Sequence, residues 1–383
     1  MNKFINQMEP NYDNKEADAC FNYMKNGGWV TEFKKTREFE KMITKYTDSQ
    51  YCHIVNNGTI ALSIALLSIG IKPGDKVIVP NLTITATPNS AILLGAQPIF
   101  VDVEKDTLCL NIEKTKQLIE NDRTIKAVIH VSLNTRCNDI LSLKNICEQH
   151  NVFLIEDSAQ SLGSFYKGKH LGTYGDIGIF SFSSPKIIST GQGGAIITNN
   201  KDISDKIIKI KNFGRIAGGT DVCDIFGINS KFTDIQAVIG IEQMKKLEYR
   251  VQRMKEMWDL YVSLLIDNKN IVIFKPNDDG WIPWFIDIYI ENRANLIEFL
   301  KTNGIGTRPI YPTLNSQPVY NSDGNSDGNS DGNSDGNSDG SNEFPVSESF
   351  SKRGLWLPSS TKLINDEIVY ICSTINSFYS RLS

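Results

Sequence analysis

The chain alternates short apolar runs with amphipathic stretches over most of its length. Lys76–Pro80 (KVIVP), Pro98–Val103 (PIFVDV), Ala127–Val131 (AVIHV) and Val152–Glu156 (VFLIE) have the pattern of strands buried on both faces. Ile177–Phe182 and Gly194–Thr198 continue the series. Between these runs, Thr59–Ile69, Leu141–His150 and Thr233–Leu247 carry helical spacing, the first starting just after Asn57-Gly58. Strands separated by helices predict βαβ units and a mostly parallel sheet. From about Val251 the pattern changes to a long helix (VQRMKEMWDLYVSLL), a strand at Phe285–Ile290 and a terminal helix at Glu367–Phe378. The expectation is a large α/β domain over residues 1–250 and a small α+β domain over 251–383.

Residues 321–340 break the pattern, being five copies of Asn-Ser-Asp-Gly with no apolar side chain to bury. Such a stretch cannot offset its ordering entropy, which predicts a disordered insertion. Its Asp-Gly-Asn-Ser-Asp-Gly phrase matches the opening of an EF-hand loop, whose twelfth position should be glutamate. That position is Ser334 counted from Asp323 and Asn342 counted from Asp331, so no metal is expected.

Composition narrows the function classes. A net charge of −4 gives no electrostatic case for nucleic acid or an anionic membrane. Seven scattered cysteines without a C-x-x-C pair read as reduced thiols. The first residues hold no apolar signal region, and no run is long enough to span a bilayer. A cytoplasmic protein is expected.

Two residues carry the candidate chemistry. Asp157 follows a buried strand in VFLIEDSAQSLGS, and Lys186 stands in FSFSSPKIISTGQGGAIIT. An acid at a strand end and an amine behind a serine-rich turn suit pyridoxal phosphate. The carboxylate would keep the pyridine nitrogen protonated, and the lysine would form the Schiff base. Read singly, Asp157 fits a helix cap equally well and Lys186 a solvated loop. Ser181 and Ser183 offer hydroxyls to a phosphate, and Gly191 to Gly194 a backbone able to fold tightly against a ligand. Asn57-Gly58-Thr59, before a helix, offers backbone N–H groups and a positive dipole end, although turns also have this composition.

The segments VNNGTIALSIALLSIGIKPGDKVIVP, GAQPIFVDV, IEDSAQSLGSFYKGKHLGTYGDIGIFSFSSPK and TGQGGAIITNN follow one another in this order. With them the chain resembles the nucleotide-sugar aminotransferases of the DegT/StrS family, from about Gly27 to the final helix. The resemblance implies the aspartate aminotransferase-like α/β fold (fold type I): a mostly parallel seven-stranded sheet plus a small α+β domain. GTRPIYP and IVYICSTINSFYS resemble the perosamine- and viosamine-forming branch. Lys186 is then implied to be the Schiff-base lysine and proton carrier, Asp157 the pyridinium partner, and Gln160 a neighbour of the ring. Gly58, Thr59 and Ser181 are implied to hold the phosphate, with Asn229 reaching the neighbouring subunit's phosphate in a homodimer with shared sites. Trp29, Thr31, Arg308 and Tyr311 are implied to face the substrate, although ordinary packing explains Trp29 and Tyr311 as well.

The chain also departs from that family. Ile84 stands where relatives carry an aromatic against the ring, and Gln192 neutralises the acid of Gly-Glu-Gly-Gly. His130-Val131-Ser132-Leu133 replaces His-Leu-Tyr-Gly, before a longer loop, NTRCND. The implied activity is transfer of an amino group from glutamate to a 4-keto-6-deoxy nucleotide sugar. Three alternatives stay open: amination at another sugar carbon, a non-catalytic regulatory relative, and a nicotinamide-dependent oxidoreductase. The last lacks a G-x-G-x-x-G between its first strand and helix.

Overall fold

The six apolar runs read as strands all pair into one sheet, and a seventh strand joins them at its edge. The computed structural model describes residues 4–217, 219–274, 278, 280–320 and 343–381. The expected insertion at 321–340 lies outside the described residues. The large sheet comprises β1 (Tyr51–Val55), β2 (Lys76–Pro80), β3 (Gln97–Val101), β4 (Ile125–Val131), β5 (Phe153–Asp157), β8 (Ile177–Ser181) and β9 (Gly194–Thr198). Between β5 and β8, the strands β6 (Phe165–Tyr166) and β7 (Lys169–His170) form a separate ribbon. The order across the large sheet is β1-β9-β8-β5-β4-β2-β3. Pairs from β3 through β8 are parallel, and β9 runs antiparallel to both of its neighbours.

This order matters because ligands bind beyond the carboxyl ends of parallel strands. Asp157 is the last residue of β5, one place earlier in the local structure than the apolar run suggests. It pairs with Val131 of β4 and Ile179 of β8. Ser181 ends β8 opposite Gly194, which also pairs with Val55 at the end of β1. Helix Gly58–Ser68 follows β1 and is buried nearly all round, as GTIALSIALLS requires. Its Leu62, Ala65 and Leu66 meet Val77, Ile129 and Ile196 in the main core.

A second sheet is wholly antiparallel, in the order β10-β11-β13-β12. Its strands are β10 (Ile271–Val272), β11 (Asp287–Ile290), β12 (Arg308–Pro309) and β13 (Gly354–Trp356). Helices Leu247–Leu265, Arg293–Thr302 and Asn365–Ser380 cover it through Met257, Tyr261, Leu300 and Ile371. Ile5 joins this second core and bridges to Ile305. A buried ion pair ties the two sheets together, with Arg136, after β4, gripping Asp287 of β11 at 2.7 and 3.3 Å. Among the described residues no helix is long and apolar enough to cross a membrane.

Candidate active site

At the carboxyl ends of β5 and β8, three glycines let backbone come together. A Cβ on Gly58 would stand 3.1 Å from the Ser181 Cβ, and one on Gly194 would reach 2.5 Å from the Asn57 carbonyl oxygen. Asn57 caps helix Gly58–Ser68 by accepting the Ile60 N–H at 2.9 Å. The first-turn amides of Gly58 and Thr59 thus present the positive end of the helix beside the Ser181 hydroxyl. Gly193 is equally confined, since a Cβ there would press on Thr190 and Phe182. The result is a cradle for a phosphate, and the Gly193-Gly194 pair is part of why it closes.

Asp157 is buried and held from two sides. Thr87 donates its hydroxyl to Oδ2 at 2.9 Å, and the Ala159 N–H meets Oδ1 at 3.3 Å. Burial pushes this carboxyl up; the Thr87 bond, the Ala159 bond and the Lys186 charge oppose the rise. Burial pushes the Lys186 ammonium down to about 8, with Asp157 resisting and the Arg308 guanidinium reinforcing the fall. The two groups therefore feel one another's charge. A lysine near 8 can both take and return a proton at neutral pH.

Tyr311 completes the group. It is buried, and burial pushes its phenol up, with Arg308 and Gln160 opposing the rise and Asp157 adding to it. Gln160 accepts the Asn134 N–H at 2.6 Å. Arg308 is exposed, with its guanidinium 5.3 Å from the Trp356 ring and 5.9 Å from the Tyr311 ring. Ile84 is 40% exposed, so its side chain is open to a ligand as well as to solvent.

The remaining candidates have other partners. Trp29 is 63% exposed and donates through Nε1 to the Thr31 hydroxyl, and Thr31 pairs with Thr233. Asn229 is exposed, with Oδ1 accepting the Lys231 N–H at 3.5 Å. Among the described residues no hydrogen bond, ion pair or ring contact joins Trp29, Thr31 or Asn229 to Lys186. His130 is buried and pushed down to about 4, hence neutral, and its Nε2 lies 3.0 Å from Asn138 Oδ1. It supports the fold.

Three residues near the centre escape sequence reasoning: Thr87 on Asp157, Asn134 on Gln160, and Trp284, whose ring centroid is 4.1 Å from Lys186 Nζ. Thr87 is the last residue of PNLTITAT and Asn134 the first of NTRCND, the two departing segments. The repeated aromatics of GWIPWF were the available signal for the third.

Residues 11–376 match the DegT/DnrJ/EryC1/StrS aminotransferase family. The chain belongs to that family. It is 33% identical to a GDP-perosamine synthase of Escherichia coli O157:H7, over 99% of each chain. A GDP-perosamine synthase of Vibrio cholerae is 31% identical over 97% of this chain and 98% of its own. Among solved structures, a DegT DnrJ EryC1 StrS aminotransferase from Brucella abortus superposes with a TM-score of 0.85 at 28% identity, over 95% of both chains. The fold is therefore aspartate aminotransferase-like, and this family member is a transaminase with pyridoxal phosphate as its cofactor. The residues present suit that group. Lys186 offers an amine of depressed basicity, Asp157 a buried carboxylate, and Gly58, Thr59 and Ser181 an anion cradle that a Cβ on Gly58 would crowd.

Proposed function

We propose that this family member moves an amino group from glutamate to a 4-keto-6-deoxy nucleotide sugar, giving a 4-amino-4,6-dideoxy sugar of the perosamine or viosamine kind. The observation that carries the reading is that the buried Asp157 carboxyl and the buried Lys186 amine act on one another's charge, in a chain aligned end to end with a GDP-perosamine synthase. Pyridoxal phosphate supplies a carbonyl that condenses with amines and a ring that withdraws electrons. Asp157 holds the ring nitrogen protonated, with Thr87 keeping the carboxylate ionised. Lys186 moves protons at Nζ, while Gln160 and Tyr311 border the ring and Gly58, Thr59 and Ser181 hold the phosphate. Ile84 leaves one ring face without an aromatic partner. Arg308 and Tyr311 face the substrates from beside Lys186, and Trp29 and Thr31 serve the substrate side from the surface segment that pairs with Thr233.

The same reading takes residues 1–250 as the cofactor-binding domain and 251–383 as a smaller domain closing over it. The protein works in the cytoplasm as a homodimer, with Asn229 completing the partner's phosphate site. Incubation with glutamate and GDP-, UDP- or dTDP-linked keto sugars, read by product mass, tests the assignment. One of these sugars should gain an amino group in place of its keto oxygen. Lys186→Ala should lose about 10²–10⁴-fold in rate or more, together with the visible band of the bound cofactor. Wild-type turnover in that variant would end the proposal.

A further inference from the structure

We infer that Trp284 is an active-site residue whose indole face seats the Lys186 ammonium, and that the loop after β4 holds the ring in place. The inference rests on Lys186 being the lysine that carries the cofactor. Lys186 Nζ lies 4.1 Å from the Trp284 ring centroid, well inside the range over which an aromatic face attracts a cation.

Three neighbours fix the ring. Its Nε1 donates to the Pro185 carbonyl at 2.8 Å, the residue just before Lys186. It stacks on Phe285 at 3.9 Å with planes 21° apart, and meets Trp356 edge-on at 5.6 Å. Its backbone N–H donates to Asn134 Oδ1 at 3.0 Å.

Asn134 is the hub of this arrangement. It stands in left-handed backbone at φ 49°, and Thr135 follows at φ 65°. Two successive non-glycine residues in that region cost free energy. In return, Asn134 Oδ1 also accepts the Phe285 N–H, Nδ2 donates to the Phe285 carbonyl, and its own N–H holds Gln160. One strained loop thus aligns both Trp284 and Gln160 around the same amine.

The charges that act on Lys186 are Asp157 at the end of β5 and Arg308 on β12, with the Tyr311 phenol coupled to both; Arg250 lines the same cavity as Lys186 and donates to the Ile187 carbonyl at 2.7 Å. Arg308 and burial disfavour the ammonium; Asp157 and the indole face favour it. The ring's task is to keep a proton accepted at Nζ in place until it is returned.

The test replaces Trp284 site-specifically with tryptophans of increasing fluorination, which keep the shape and weaken the ring face. In the full-length protein freed of cofactor, the pH midpoint for acylation of Lys186 is read by peptide mass. Across the series it should fall stepwise by about half a unit or more. A midpoint that does not move overturns the inference. In the holoenzyme, Trp284→Phe should keep more kcat than Trp284→Leu, and equal losses would reduce the ring to packing. Borohydride treatment of the unmodified holoenzyme separates the two readings. If no pyridoxyl mass is fixed on Lys186, the assignment of that lysine fails; if it is fixed and the midpoint stays put, only the role of Trp284 fails.

Discussion

Thr87 sets how firmly Asp157 keeps its charge. The hydroxyl donates to a buried carboxylate, and a hydrogen bond to a charged group contributes about 1.5–3 kcal/mol. Thr87→Val keeps the shape and removes the donor. Burial already raises the Asp157 pKa and the Thr87 bond opposes that rise, so its loss lifts the value further. The carboxylate then becomes protonated at a higher pH, and the acid limb of kcat/KM should move up by about one unit. A pH profile of the two proteins checks this, and an unmoved limb would mean that Thr87 does not tune the acid. Asp157 and Lys186 were legible in the sequence because their motifs name a chemistry. Thr87 was not, because a threonine in a polar stretch has many uses and its partner lies 70 residues away. Trp284 was hidden for the same reason, as its indole reaches Pro185 across 99 positions.

At the scale of elements, apolar runs located strands to within a residue or two wherever the strand is central. β1 was missed because Tyr51, Cys52 and His53 interrupt its apolar pattern. The amphipathic helices Asn14–Lys25 and Lys34–Thr47 were missed as well, being rich in charge with few apolar positions. The elements around 321–342 yield a prediction of their own. Tyr320 meets Phe100 of β3 edge-on at 5.5 Å and donates to Asn89 at 2.8 Å. Phe344 lines the same hollow as Phe100, Lys114 donates to the Glu343 carbonyl at 3.1 Å, and Asp102 accepts the Val346 and Ser347 amides that open helix Pro345–Arg353. Both flanks thus converge on the edge strand, and each is anchored independently. Replacing 321–342 with a short Gly-Ser linker should leave kcat/KM within about twofold and stability within about 0.5 kcal/mol. Assay and thermal melting decide the matter, and a large loss of either would give the repeat a role in the catalytic unit.

The whole molecule raises the question of where one active site ends and the next begins. Trp29, Val30 and Phe33 are exposed near one end of helix Asp234–Met244, and Phe213, Ile216, Val222 and Phe226 are exposed along the chain leading to it. Asp234 anchors the first group by accepting the Phe33, Lys35 and Thr36 amides and the Tyr23 hydroxyl. Exposed apolar side chains on these two segments suit contact with a second copy of the chain. If Asn229 serves the neighbouring site, Lys186→Ala and Asn229→Asp should each be inactive alone yet rescue one another when their subunits exchange. In a mixed dimer, one site would combine Lys186 and Asn229 from unaltered positions, and the other would carry both defects. Random exchange at equal amounts makes half of the dimers mixed with one good site each, so recovery should approach about a quarter of wild-type activity. Self-contained sites would give no recovery, because every site would then hold one defect. The outcome turns on the direction in which one exposed carboxamide points, a fact that no local pattern around FGINSKFTD could carry.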